Sequence, residues 1–416
     1  MSTKIDIENI YAAASNLKDV AIKTPLMYNT NLSEKFGANV YLKREDLQVV
    51  RSYKIRGAYN KMANLSSEQL KGGVVCASAG NHAQGVAYAC QKMGVKGLIY
   101  MPTTTPAQKI KQVKMFGKEW VEIRLEGDTY DDSFDAAQRH IVEEGGVFVH
   151  PFDDEQVIEG QGTVGLEIFK DADFKIDYLL FAIGGGGLSS GVCTVFKTLS
   201  PKTKLIGVEP QGSPTMKVSI KNNKVTPLEY IDKFVDGAAV KRAGDLTFEI
   251  VKDKLDDILL VPEGKVCSTI LQLYNEEAIV AEPAGALSVS ALDFIKDKIK
   301  GKNVVCIIGG GNNDITRTEE IKERSLLYEG LKHYFIIRFL QRSGAFKEFL
   351  EEVLGKTVDI VFFEYSKKTS RERGPALVGL ELGNKDEFPQ LLERMKAANV
   401  QFTYINDKPD LFEFLI

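Results

Sequence analysis

Between roughly residues 40 and 310, short apolar runs alternate with longer amphipathic ones, and this alternation limits the fold more than any other feature. The runs Gly73–Ala77 (GVVCA), Gly97–Met101 (GLIYM), Tyr178–Ile183 (YLLFAI), Leu205–Val208 (LIGV) and Asn303–Ile308 (NVVCII) are nearly continuous in apolar residues. That is the pattern of strands buried on both faces of a parallel sheet. Helical stretches such as Pro106–Phe116 and Asp154–Phe169 lie between them. The alternation predicts an α/β architecture. In such sheets ligands bind beyond the carboxyl ends of the strands, where loops enter helices.

Past Arg324 the pattern changes. His333–Leu340 (HYFIIRFL) reads as a strand, and Ser343 as the cap of a helix with Phe346, Phe349, Leu350, Val353 and Leu354 on one face. Strands follow at Val358–Tyr365 and Ala376–Leu382, then a helix with Phe388, Leu391, Leu392 and Met395 on one face, then a strand at Gln401–Ile405. The order β-α-β-β-α-β is the ferredoxin-like unit. A boundary is placed near residues 318–332, where the charged run TEEIKER supplies a surface helix or linker. The expected domains are residues 1–325, with a smaller subdomain near residues 53–153, and residues 326–416.

Composition removes several classes of function. A chain of 416 residues has room for two or three domains. With 53 basic and 57 acidic residues the formal net charge is −4, without the basic excess expected of a nucleic-acid binder. The uncharged stretch Tyr178–Phe196 carries five glycines behind a run of strand length, so strand, loop and helix explain it better than a membrane span. Five cysteines stand singly, which argues against a disulfide framework or a structural zinc site. The opening residues MSTKIDIENIYAAASNLKDV lack the apolar core of a signal peptide, so a cytoplasmic location is expected.

Four segments carry chemistry. Lys54, in Ser52-Tyr53-Lys54-Ile55-Arg56-Gly57-Ala58, precedes a helical pattern. The positive end of a helix dipole disfavours an ammonium and leaves the neutral amine that Schiff-base chemistry needs. On its own such a lysine reads as a solvated surface residue. Ser78-Ala79-Gly80-Asn81-His82-Ala83-Gln84-Gly85 directly follows the GVVCA run, and its small residues leave amides free at a helix start for a carboxylate. Asn81 offers a donor and an acceptor suited to a ring oxygen, or it simply caps the helix. His82 by itself is as readily a structural hydrogen-bonder. Gly184-Gly185-Gly186-Gly187-Leu188 can turn successive amides inward as an anion nest for a phosphate, and it is no dinucleotide fingerprint. Gly309-Gly310-Gly311-Asn312-Asn313 follows the last strand and faces the same sheet edge.

Together these segments resemble the fold-type II pyridoxal-phosphate enzymes, and within them the threonine and serine dehydratase group. Further matching stretches are His150-Pro151-Phe152-Asp153, Gly160-Gln161-Gly162-Thr163, Val208-Glu209-Pro210, Asp236-Gly237-Ala238-Ala239-Val240 and Ala281-Glu282-Pro283-Ala284-Gly285. The tail resembles the single ACT-like regulatory domain of short-form biosynthetic threonine dehydratases. The resemblance implies two parallel α/β subdomains plus a C-terminal ferredoxin-like, ACT-like domain. It implies that Lys54 holds pyridoxal 5'-phosphate covalently and removes the Cα proton. Asn81 would bond the phenolic oxygen of the cofactor, and the amides of Gly184, Gly185, Gly186, Gly187 and Leu188 its phosphate. Ser78, Ala79, Gly80, Asn81 and His82 would hold the substrate carboxylate.

Many relatives place a serine where Gly309 stands, against the pyridine nitrogen, so Gly309 is the expected position facing that atom. Related serine racemases carry a second serine where Ala79 stands, so alanine favours dehydration over racemisation. Glu209 resembles a cation ligand of some racemases, but Ser213 and Thr215 follow where a carboxylate would be needed, and no metal is expected. The implied partners are L-threonine or L-serine as substrate, isoleucine as allosteric inhibitor, and further copies of the chain in a homotetramer or homodimer. The readings weighed against a threonine dehydratase are a serine dehydratase or broad hydroxyamino-acid ammonia-lyase, and a non-catalytic amino-acid sensor.

Overall fold

The apolar runs pair as the alternation requires. In spatial order, Leu26–Tyr28, Asn39–Arg44, Asn303–Ile308, Tyr178–Ala182, Lys204–Pro210 and Asp257–Val261 form a six-stranded sheet. Only the first pair is antiparallel. A second sheet, in the order Val121–Leu125, Gly97–Met101, Val74–Ala77 and Val147–Phe148, is parallel throughout. The computed structural model describes residues 5–365 and 372–415, which divide into one unit ending at Arg317 and another beginning at Thr318. No helix among the described residues is long and apolar enough to cross a membrane.

Each sheet of the first unit has its own core. Leu179, Phe181, Val192, Phe196, Leu205 and Val305 pack beside the larger sheet. Ile55, Met62, Cys76, Val86, Ile99 and Met101 pack beside the smaller one. The Lys54–Ala63 helix joins them by lying against the Glu155–Asp171 helix at glycine contacts. A Cβ on Gly160 would stand 2.4 Å from the Arg56 carbonyl oxygen, so only glycine admits this approach.

Beneath that contact lies a buried ionic network. The Arg56 guanidinium donates twice to Glu45, at 2.8 Å each, and to both oxygens of Glu167, at 2.6 and 2.9 Å. Lys43 Nζ donates to Glu167 at 2.6 Å and to the Thr24 carbonyl at 2.7 Å. Two cations meet two anions, and Arg56 is 1 % exposed. Removing one partner of such a network leaves an uncompensated buried charge, at a cost of about 3–5 kcal/mol. The helix that begins at Lys54 is thereby fixed two residues from its start.

The second unit is an antiparallel sheet in the order Val358–Tyr365, Arg373–Leu382, Lys332–Leu340 and Gln401–Tyr404. The first and third strands in sequence are the two edges' inner partners in ferredoxin-like order, with Phe335, Val353, Val378, Leu380, Leu391 and Met395 in the core. The charged TEEIKER run lies in a helix, Thr318–Tyr328, which opens this unit. One detail departs from expectation. Ser343 caps nothing; Gly344, with φ of +87°, precedes the Ala345–Glu348 helix without a side-chain cap. The helix then widens to a π-helix over Phe349–Leu354, where the Gly355 amide reaches back to Leu350. The wider turn buries Phe349, Val353 and Leu354 while Phe346 stays 39 % exposed, so the five apolar residues do not share one buried face.

Candidate active site

Lys54 is the first residue of its helix, behind Tyr53 at the cap position. The chain before it is sewn to the loop after the Asn303–Ile308 strand. The Tyr53 amide donates to Gly309 at 3.1 Å, Ser52 bridges Gly310, and the Gly311 amide donates to Arg51 at 2.9 Å. The Lys54 Nζ donates to the Pro151 carbonyl at 2.8 Å. Burial of the amine pushes its pKa down to about 8, with the nearby Glu282 carboxylate pulling the other way. At pH 7 about one molecule in ten then carries the neutral amine, against about one in three thousand for a free lysine. The helix start acts in the same direction, but burial is the larger cause.

The Ser78–Gly85 segment turns from the Val74–Ala77 strand into the Asn81–Met93 helix. Gly80, not Asn81, occupies the cap position, and no side chain caps this end. The Asn81 side chain points elsewhere. Its Nδ2 donates to Glu282 Oε1 at 2.6 Å, and its Oδ1 accepts from Asn312 Nδ2 at 2.7 Å. Ser78 Oγ accepts from the Gly80 amide at 3.2 Å. The His82 side chain turns to the protein interior. Its Nε2 lies 2.7 Å from the Val149 carbonyl and must carry the proton, and burial pushes its pKa down to about 3. Its ring is a neutral structural group, and only its backbone belongs to the turn.

The glycine loop connects the Tyr178–Ala182 strand to the Gly187–Leu199 helix. Gly186 has φ of +101°, a region L side chains rarely adopt. A Cβ on Gly185 would lie 2.4 Å from the Phe152 ring, one on Gly187 3.0 Å from Phe152, and one on Gly184 3.0 Å from Ala238. Thr247 Oγ1 holds the loop by donating to the Gly185 carbonyl at 2.6 Å. Among the described residues the amides of Gly184, Gly185 and Gly186 donate to no backbone carbonyl, and those of Gly187 and Leu188 open a helix, where no intrahelical acceptor exists.

The residues that unite these parts carried no assigned role in the sequence. Pro151 receives the Lys54 amine, and the next residue, Phe152, packs on Gly185 and Gly187. Lysine and glycine loop thus meet across two consecutive residues. Asp153 extends the clasp by accepting from the Asp245 and Thr247 amides at 3.0 and 3.1 Å. Glu282, 6 % exposed, joins Asn81 to the Gly310–Asn312 loop, and burial with the repulsion of Asp236 pushes its pKa up to about 7. The quoted stretches HPFD and AEPAG were the available signals.

Gly309 lies under the Tyr53 ring, where an added Cβ would meet Cε1 at 3.3 Å. Glu209 accepts from the Met216 and Lys217 amides at 2.6 and 2.9 Å, closing the start of the Thr215–Lys221 helix.

This arrangement fits pyridoxal phosphate. The groups it requires are present: a lysine amine with a lowered pKa at a helix start, amides without backbone acceptors in the glycine loop beyond the larger sheet, and an asparagine amide, held from both sides, beyond the smaller sheet. Buried polar atoms without a partner also gather here, at Ser52 Oγ, His82 Nδ1, Asn312 Oδ1 and Asn313 Oδ1.

Known proteins share this plan. Residues 17–310 match the family described as pyridoxal-phosphate dependent enzyme, and residues 323–415 the C-terminal regulatory domain of threonine dehydratase. The biosynthetic L-threonine dehydratase IlvA of Halalkalibacterium halodurans is 57% identical over 413 residues, covering 99% of this chain and 100% of the relative. That of Bacillus subtilis is 57% identical over 412 residues, covering 99% of this chain and 98% of the relative. The processed form of threonine deaminase isoform 2 from Solanum lycopersicum superimposes with a TM-score of 0.73 at 39% identity, over 79% of this chain and 91% of that one. Maize serine racemase gives 0.72 at 30% identity, over 78% of this chain and 98% of that one. With both halves of its length and its lysine, glycine and asparagine loops accounted for, the chain belongs to the biosynthetic L-threonine dehydratase family of pyridoxal-phosphate-dependent lyases.

Proposed function

We propose that this chain converts L-threonine to 2-oxobutanoate and ammonia, as the entry step of isoleucine synthesis, under feedback by isoleucine. The observation that carries the reading is the convergence of the Lys54 amine, through Pro151 and Phe152, on the glycine loop. Lys54 would hold the cofactor, the Gly184–Leu188 amides its phosphate, and Asn81 its phenolic oxygen. Pyridoxal phosphate, when bound, supplies an electron sink for the charge left when a Cα proton departs. The Ser78–His82 amides hold the substrate carboxylate and so aim the Cα–H bond at Lys54 Nζ. The neutral Lys54 amine would take that proton. The β-hydroxyl leaves with a proton as water, and hydrolysis then returns one water and releases ammonia with the keto acid. Ala79 has no hydroxyl to work the opposite face of Cα, which favours elimination over racemisation.

The direct test is keto-acid formation from L-threonine, L-serine and both D-isomers by the purified protein. L-threonine is expected to give 2-oxobutanoate, and neither D-isomer to react. Serine lacks one methyl, worth about 1–3 kcal/mol in a pocket, so a rate about tenfold or more in favour of serine would move the reading to a serine dehydratase.

We place the regulatory module at residues 318–416, in a cytoplasmic homo-oligomer. A core of its own and the absence of the four cofactor segments from this stretch support that placement. Ending the chain at Arg317 spares the Thr318–Tyr328 helix a cut through its middle. The shortened protein is expected to dehydrate threonine and ignore isoleucine, whereas the full chain loses affinity for threonine by about 5- to 150-fold, a coupling of about 1–3 kcal/mol. Isoleucine titration of both at subsaturating threonine decides it. Equal inhibition of the two would place the effector site within residues 1–317.

Gly309→Ser is expected to fold, because the Tyr53 ring need give only a few tenths of an ångström. The crowding should cost about 1 kcal/mol, and the new hydroxyl should change the visible band of the bound cofactor. Absorbance spectra and thermal melts check both. An unchanged spectrum with a lowered melting temperature would place Gly309 away from the cofactor ring.

A further inference from the structure

We propose that Glu282 is a positioning residue for the phenolic oxygen of the cofactor, acting through Asn81. The proposal rests on the reading that Asn81 meets that oxygen.

A side-chain amide has an accepting end and a donating end, and it serves an acceptor only when the donating end faces it. Here a chain of hydrogen bonds decides which end goes where. The Val50 carbonyl can only accept, so Asn312 turns its Nδ2 toward it, at 2.9 Å. The second hydrogen of that same Nδ2 goes to Asn81 Oδ1 at 2.7 Å. Asn81 must then present its Nδ2 on the other side, where Glu282 Oε1 accepts at 2.6 Å. A carbonyl terminates one end and a carboxylate the other, so the chain runs in one direction only. Asn81 is left with one Nδ2 hydrogen unspent, the donor that a phenolate oxygen needs.

Glu282 is itself anchored at both ends. Its amide donates to the Gly310 carbonyl at 3.1 Å, and the Asn312 backbone lies close enough to its carboxyl to favour the charged form. Gly310 leaves room for that carboxylate, since a Cβ there would stand 2.4 Å from Oε1. Glu282 is buried, and Lys54 and Lys109 act on its carboxyl through space while its side-chain partner is Asn81.

The test compares wild type, Glu282→Gln and Glu282→Asp. Glutamine keeps the reach and an accepting oxygen while losing the charge. Aspartate keeps the charge and falls short of Asn81 by one methylene. The readouts are the dissociation constant for pyridoxal phosphate, by titration of the apoprotein, and the position of the visible band in the loaded protein. Wild type and Glu282→Gln are expected to agree within about threefold and share a band. Glu282→Asp should bind the cofactor about tenfold more weakly or worse, with a displaced band. If Glu282→Asp melts early, Asn312→Ala opens the other end of the chain and should displace the band likewise. A Glu282→Asp protein that binds as wild type does, or a Glu282→Gln protein as weak as Glu282→Asp, would overturn the proposal. Wild type that binds no pyridoxal phosphate would instead overturn the cofactor reading beneath it.

Discussion

Lys54→Ala is expected to lower turnover of L-threonine by about a thousandfold or more, with the fold intact. Two functions vanish with this side chain. The cofactor loses its covalent attachment, and the Cα proton loses its acceptor, a role worth about 10²- to 10⁴-fold where a positioned base acts. The structural cost is small by comparison. The Lys54 side chain makes one hydrogen bond, to the Pro151 carbonyl, and the residue is only partly buried. The ionic network that fixes the helix belongs to Arg56, which remains. Steady-state keto-acid production beside a thermal melt separates the two effects. Turnover within about tenfold of wild type would remove Lys54 from the chemistry.

Gly185→Ala should weaken cofactor retention by a different route. The new methyl would sit 2.4 Å from Cδ1 and Cγ of Phe152, inside contact distance for any pair of carbons. Either the Phe152 ring or the glycine loop must move, and Thr247 holds the loop at the Gly185 carbonyl. Overpacking of this kind costs about 1–3 kcal/mol, and a displaced loop no longer aims its amides, so affinity for pyridoxal phosphate is expected to fall up to about a hundredfold. Equilibrium dialysis of the cofactor measures this. Adding Phe152→Leu should recover part of the loss by opening the space, a coupling that independent sites would not show. Unaltered affinity in Gly185→Ala would mean that the phosphate lies elsewhere.

What was legible in the sequence was what local pattern controls. Buried parallel strands are apolar throughout, so NVVCII and GLIYM announced themselves as the strands Asn303–Ile308 and Gly97–Met101. Leu26–Tyr28 and Val147–Phe148 did not, because runs of three and two residues leave no period to detect. The ferredoxin-like order was readable because runs such as HYFIIRFL have strand length and the second helix repeats its apolar residues at helical spacing. The π-helix at Phe349–Leu354 was not, since its wider turn depends on how the segment packs and not on its composition.

The site followed the same division. Lys54 and the glycine loop stand out because helix starts and glycine runs are local features. Pro151 and Glu282 acquire their roles only through tertiary contact, 97 and 201 residues away from Lys54 and Asn81 respectively. His82 shows the converse. Its motif marks the turn, but only the fold shows that its ring bonds the Val149 carbonyl.

The central claim is that Lys54 holds pyridoxal phosphate beside the glycine loop. Borohydride reduction of the loaded protein makes the lysine–cofactor link permanent, and protease digestion with mass spectrometry then locates it. The account predicts one pyridoxyl group per chain, on the peptide that contains Lys54, and none in Lys54→Ala. A label on any other lysine of the wild-type protein, or no label at all, would contradict it.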